Sequence, residues 1–201
     1  QLDDFSRGFS FREEGPLDMR MDHRSAFTAR DLVNGWAEEE LIRIFREYGE
    51  ERHAARIARE IVKVRSTKAI DTTLELADLV ARVAPKTSGK HPATRVFQAI
   101  RIAVNGELEA LETALEKSAD LLAPGGVLAI LTFHSLEDRA VKRFMHRRSS
   151  PLIDRPEWSE PRPNPEFAFH LPTRKAIAPD EEETKRNSRS RSAKLRVAVR
   201  A

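Results

Sequence analysis

The run Val127-Leu128-Ala129-Ile130-Leu131-Thr132-Phe133 constrains this chain more than any other segment. Pro124-Gly125-Gly126 precedes it as a turn, and His134-Ser135-Leu136-Glu137-Asp138-Arg139 follows it. Seven nearly all apolar residues read as a strand buried on both faces, as in a parallel sheet. The next segment, Leu136 to Met145, has a helical pattern. In open α/β sheets ligands bind outside the carboxyl ends of the strands, so His134 and its neighbours stand where chemistry is usually done.

The 201 residues hold one full domain, or one domain plus a small helical one. No apolar run is long enough to cross a bilayer, so no membrane association is expected. The absence of cysteine excludes disulfides and thiolate metal sites and fits a cytoplasmic location. Gln1 is not a start methionine, and the chain reads as a fragment. The net charge of +3 is unevenly spread: residues 1–138 carry a net −5 and residues 139–201 a net +8. A basic end on an acidic body suits a polyanion contacted from one side, or a solvated surface.

Residues 1–24 are loop-like, punctuated by Gly8, Gly15 and Pro16. Leu41, Phe45 and Tyr48 then share a helical face, with Gly49 as a stop. A second helix is expected from Glu50 to Val64. Thr72-Thr73-Leu74-Glu75 reads as a capping box opening a third, with Leu76, Leu79, Val80 and Val83 inside. Pro85 to Pro92 reads as a linker. Phe97, Ile100 and Val104 mark one further helix, and Leu108, Leu111, Leu115 and Leu122 another that ends at Pro124. Beyond a Pro-rich stretch, Phe167–Leu171 with Arg174–Ile177, and Ala193–Val199, read as an antiparallel pair. Leu195, Val197 and Val199 there alternate against Lys194 and Arg196 as in a half-buried strand.

Several segments in this order resemble one family. They are Gln1-Leu2-Asp3-Asp4 with Arg7-Gly8-Phe9-Ser10-Phe11, and Gly15-Pro16-Leu17-Asp18-Met19-Arg20-Met21-Asp22. Tyr48-Gly49-Glu50-Glu51 is followed by His91-Pro92-Ala93-Thr94-Arg95, with Phe97-Gln98-Ala99-Ile100-Arg101-Ile102 and Asn105. Phe133-His134-Ser135-Leu136-Glu137-Asp138-Arg139 and Ser192-Ala193-Lys194-Leu195-Arg196 complete the set. Together they resemble the RsmH (MraW) family of S-adenosylmethionine-dependent methyltransferases, which act on the N4 amine of a cytosine in small-subunit ribosomal RNA.

The resemblance implies an α/β fold: a class I, Rossmann-like methyltransferase sheet, incomplete in this chain, with an inserted α-helical subdomain. Residues 1–21 would be a loop following the cofactor-binding part, 22–90 the helical insert, and 91–201 the carboxyl-terminal part of the methyltransferase domain. The family's Gly-rich cofactor loop has no counterpart in these residues, so the fragment alone is expected to be inactive. Gln1 matches a family glutamine that contacts S-adenosylmethionine. The implied partner is small-subunit ribosomal RNA or the small ribosomal subunit; a homodimer is left open. The alternatives are a non-catalytic RNA-binding remnant and a hydrolase using His134, Glu137 and Asp138 around a metal, although no metal site is expected.

Methylating an exocyclic amine needs in-line attack on a sulfonium methyl, with the amine held and its protons accepted by carboxylates or carbonyls. His134 can orient the base or contact phosphate, or be a strand-end histidine bonded to backbone. Ser135 with Asp138 matches a capping box. Asp18 can accept from the amine, or pair with Arg20 and brace its loop. Arg189, Arg191, Lys194 and Arg196 suit phosphate contacts that position rather than specify.

Overall fold

A computed structural model describes residues 4–84 and 91–201. Gln1, and residues 85–90 of the expected linker, lie outside them. The chain divides into two compact units, Gln1–Glu107 and Leu108–Ala201.

Unit one is helical: α1 (Ala29–Gly35), α2 (Glu38–Glu47), α3 (Ala54–Arg65), α4 (Thr73–Val83) and α5 (Ala93–Asn105). The capping signals act where the sequence places them. Thr72 accepts from the Glu75 amide and Glu75 answers to the Thr72 amide, so two otherwise orphaned donors open α4 satisfied. Thr28 and Asp31 do the same for α1. Leu32, Leu41, Ile44, Phe45, Ile57, Ile61, Leu76, Leu79, Val80 and Ile100 are fully buried in one core. Helix α5, expected on the far side of a boundary at residues 90/91, packs into that core through Val96, Phe97 and Ile100.

Gly49 does end α2, by proximity rather than by a left-handed turn. A Cβ there would lie 2.7 Å from the carbonyl oxygens of Arg95 and Phe45, so α5 can approach α2 only over glycine. The left-handed residue is Glu50, with φ 49°, and α3 begins at Ala54 rather than at Glu50.

Unit two holds α6 (Glu107–Leu121, whose first residue falls in unit one), β1 (Val127–Thr132), α7 (Ser135–Ser149), β2 (Leu152–Ile153), β3 (Arg162–Pro163), β4 (Phe169–His170), α8 (Glu181–Arg186) and β5 (Lys194–Arg200). β2 and β3 form a small hairpin. The main sheet runs β1-β5-β4, antiparallel throughout, with Leu128 opposite Ala198, Ile130 opposite Arg196 and Thr132 opposite Lys194. The expected antiparallel pairing near the carboxyl end is thus present as β4–β5, and Ile177 adds a bridge to Leu195. Leu115 and Ala119 of α6 and Val141, Phe144 and Met145 of α7 pack with Phe169 and Ala198 on one face.

Two expectations about this sheet are corrected. β1 is a strand, but it is not buried on both faces. Leu128, Ile130 and Thr132 face the helices, whereas Val127, Leu131 and the adjoining Phe133 are 58%, 54% and 54% exposed. Apolar composition records that a strand needs two covers; whether both are supplied depends on neighbours, and among the described residues β1 pairs only with β5. In β5 the alternation is inverted: Lys194 and Arg196 turn to the helix-covered face, because an acidic residue of α7 waits there. The chain is therefore mixed α/β, with a small sheet and several helices.

Candidate functional site

At the carboxyl end of β1 the chain leaves the strand and enters α7 in one step. His134 is the N-cap, in extended conformation (φ −139°, ψ 166°), and its Nδ1 accepts from the Glu137 amide at 3.4 Å. Glu137 Oε2 accepts in return from the amides of Phe133 (2.8 Å) and His134 (3.2 Å). This is a capping box built one residue earlier than the expected Ser135/Asp138 pair. The frame slips because Asp138 is engaged elsewhere, and the imidazole nitrogen can serve as acceptor in place of a hydroxyl.

With Nδ1 turned to the backbone, Nε2 is the other polar atom of the His134 ring. It is buried, with the side chain only 9% exposed, and lies 3.3 Å from Glu137 Oε1 but outside hydrogen-bond geometry. Burial works against ionisation of Glu137. The His134 side chain and the Phe133 amide outweigh it and hold this carboxyl below its ordinary value.

Asp138, 8% exposed, accepts from Arg196 Nε at 2.7 Å and Lys194 Nζ at 2.9 Å. Burial disfavours its charge, and the two cations overcome that penalty, so its carboxyl is also depressed. Both oxygens are turned to β5. Asp138 therefore does not converge with His134 and Glu137 as the hydrolase arrangement requires.

In unit one the segment from Gly15 to Asp22 is pinned along its length. Gly8, at φ 71°, passes so close that a Cβ would meet the Pro16 carbonyl oxygen at 2.2 Å. Leu17 and Met19 are buried, and Met19 is left-handed at φ 58°, a strained conformation for a non-glycine residue. Asp18 is clamped by Arg20: Oδ1 accepts from its amide and Nε, and Oδ2 from Nη2 at 2.7 Å. That side-chain bond holds the Asp18 carboxyl below its ordinary value. Three of a carboxylate's roughly four acceptor sites are filled, and the one left belongs to Oδ2. Asp22 pairs instead with Arg24 at the surface.

Asn105, the last residue of α5, closes this loop and was not picked out from composition or spacing. Its Nδ2 donates to the Met19 carbonyl and its Oδ1 accepts from the Met21 amide, at 2.8 and 2.7 Å. An Asn-Gly pair at a helix end signals a helix stop, and nothing local marks a grip on a loop 86 residues away.

The sequence-expected RNA residues separate. Arg189 and Arg191 are exposed on a 3-10 turn, Ser188–Ser192. Lys194 and Arg196 are tied to Asp138. Gln1 lies outside the described residues. No helix among the described residues is long and apolar enough to cross a membrane.

A strand end feeding a polar-capped helix within a mixed α/β chain narrows the class of protein, and comparison with known proteins narrows it further. The model of the MraW methylase family matches residues 1–201, and the chain belongs to that family. It is 50% identical over 200 residues to a protein of Carboxydothermus hydrogenoformans named ribosomal RNA small subunit methyltransferase H. That match covers 98% of this chain and 64% of the relative. A protein of the same name from Caldicellulosiruptor saccharolyticus is 51% identical over 199 residues, 98% of this chain and 65% of its own length. The chain thus spans just under two-thirds of these curated relatives. The family expected from the motifs is the one found.

Proposed function

We propose that the complete protein transfers a methyl group from S-adenosylmethionine to the N4 amine of a cytosine in small-subunit ribosomal RNA. The observation that carries this is the β1–α7 junction. It presents a buried imidazole nitrogen without a well-formed partner at a strand's carboxyl end, in a chain whose relatives bear the name ribosomal RNA small subunit methyltransferase H. On this reading β1-β5-β4 is one side of a class I, Rossmann-like sheet, residues 22–90 form a helical insert, and residues 91–201 continue the methyltransferase domain. The protein works in the cytoplasm on the ribosomal RNA or the small subunit.

S-adenosylmethionine supplies the electrophilic methyl, with Gln1, outside the described residues, as its candidate contact. The chain's own residues act on the base. A cytosine must leave its stack before its amine can reach a methyl, at a cost of about a few kcal/mol. His134, at the strand end, orients the polar edge of that base, Nε2 being the ring nitrogen its cap does not use. Asp18 stands by itself as a catalytic candidate in unit one, with one acceptor site left on Oδ2, and Arg20 sets where that oxygen points. Arg189 and Arg191 contact phosphate and position the strand without reading it.

The test supplies small ribosomal subunits and S-adenosylmethionine labelled in its methyl group to the complete protein. The label should become soluble on ribonuclease treatment and resist protease. Protease-sensitive label would make the substrate a ribosomal protein and overturn the proposal.

A further inference from the structure

We infer that unit two carries a binding pocket for RNA backbone phosphate between α7 and β5, separate from the Arg189/Arg191 turn; the inference rests on the RNA reading above. A cavity of about 290 Å³ opens there. Three cationic side chains and a histidine line it: Lys142 and His146 from α7, Arg174 from the segment after β4, and Arg196 from β5. Met145, Leu171 and Val197 supply apolar wall, and no carboxylate-bearing residue lines the cavity. Arg196 is committed to Asp138 through Nε. Lys142, His146 and Arg174 are exposed and form no ion pair among the described residues.

Like charges gathered without a counter-ion raise the local potential and favour an anion from solution. Some cations of this unit are neutralised, Arg147 by Glu116 and Glu166 and Lys194 by Asp138, whereas, among the described residues, Lys142 and Arg174 are not.

The occupant is a strand rather than a free phosphate because the pocket continues into a groove. A second cavity of about 500 Å³ is lined solely by Arg139, Lys142, Arg143, His146 and Arg147, and shares Lys142 and His146 with the first. These five stand at three- and four-residue spacing, so they form one stripe along α7. From residue 139 to 147 the stripe runs about 12 Å at about 1.5 Å per residue. That length lets the stripe face more than one phosphate of a strand, with Lys142 and Arg143 as its cations that form no ion pair among the described residues. A single nucleotide would use one end of it.

The test measures binding of a labelled short single-stranded RNA of mixed sequence to the full chain across a salt series. It compares wild type, the double variant Lys142→Gln with Arg174→Gln, and Lys117→Gln, an exposed cation on α6 that lines neither cavity. All three positions are exposed, and thermal melting checks that each variant folds. The double variant should bind about tenfold more weakly, with a log–log salt slope shallower by roughly 1.4, about 0.7 for each phosphate no longer neutralised. Lys117→Gln should match wild type. A wild type that binds RNA while the double variant keeps its affinity and slope overturns the pocket and leaves the RNA reading standing. A wild type with no salt-dependent RNA binding overturns both. Adenosine diphosphate competing as tightly as the RNA would assign the pocket to free nucleotides and also overturn the inference.

Discussion

Asp138→Ala lowers the unfolding free energy by about 3 kcal/mol, the lower end of what breaking a buried ion pair costs. The loss comes chiefly through Arg196. Its side chain is 12% exposed, and without Asp138 it stays desolvated and uncompensated. Lys194 is 47% exposed and simply returns to water, so that half of the pair contributes little. Asp138→Asn keeps the shape and one acceptor and should fall between wild type and alanine. The pH dependence has a definite sign. Both cations depress the folded-state value of Asp138, so its contribution is fully present above the unfolded value of about 3.9 and is lost as pH falls through the folded value. Urea unfolding should therefore show the full gap between wild type and Asp138→Ala at about pH 7, and a narrowing gap below about pH 4. A gap under about 1 kcal/mol at neutral pH would mean the pair is as weak as a surface salt bridge.

His134→Ser separates the two roles this residue holds. Serine is a preferred N-cap and can take over the bond from the Glu137 amide, so thermal stability should change by only a few tenths of a kcal/mol. The imidazole Nε2 is gone, and single-turnover methyl transfer should fall about a hundredfold, the effect of removing one preorganised polar contact to a reacting group. Cofactor affinity should change much less. His134→Ala loses the cap as well and should cost about 1 kcal/mol of stability in addition. Methyl transfer unchanged in the serine variant would confine His134 to capping α7.

The elements legible from the chain were those written in local spacing. Thr72 to Glu75 named the start of α4, and Leu76, Leu79 and Val80 named the face it buries. β1 was recognisable as a strand from its apolar run, yet its exposed face was not, because cover is a property of neighbours. The cap of α7 was misplaced by one residue because His134/Glu137 and Ser135/Asp138 share the same spacing, and only the position of β5 decides between them. Asp138 meets Lys194 and Arg196 across 56 and 58 residues, and Asn105 meets Met19 across 86; no periodic pattern carries such pairings. For the same reason four residues expected to meet RNA divided into an exposed pair and a pair bound to Asp138. The cavity lined by Lys142, His146 and Arg174 was hidden because Arg174 reaches α7 from a distant segment of the chain.

The chemical identity of the methylated nucleoside tests the account most directly. Small-subunit ribosomal RNA is treated with the complete protein and methyl-labelled S-adenosylmethionine, digested to nucleosides, and each labelled nucleoside is identified by chromatography and mass spectrometry. A single labelled product, N4-methylcytidine, is expected. Label on a ring carbon, on a ribose hydroxyl or on any base other than cytosine would contradict it.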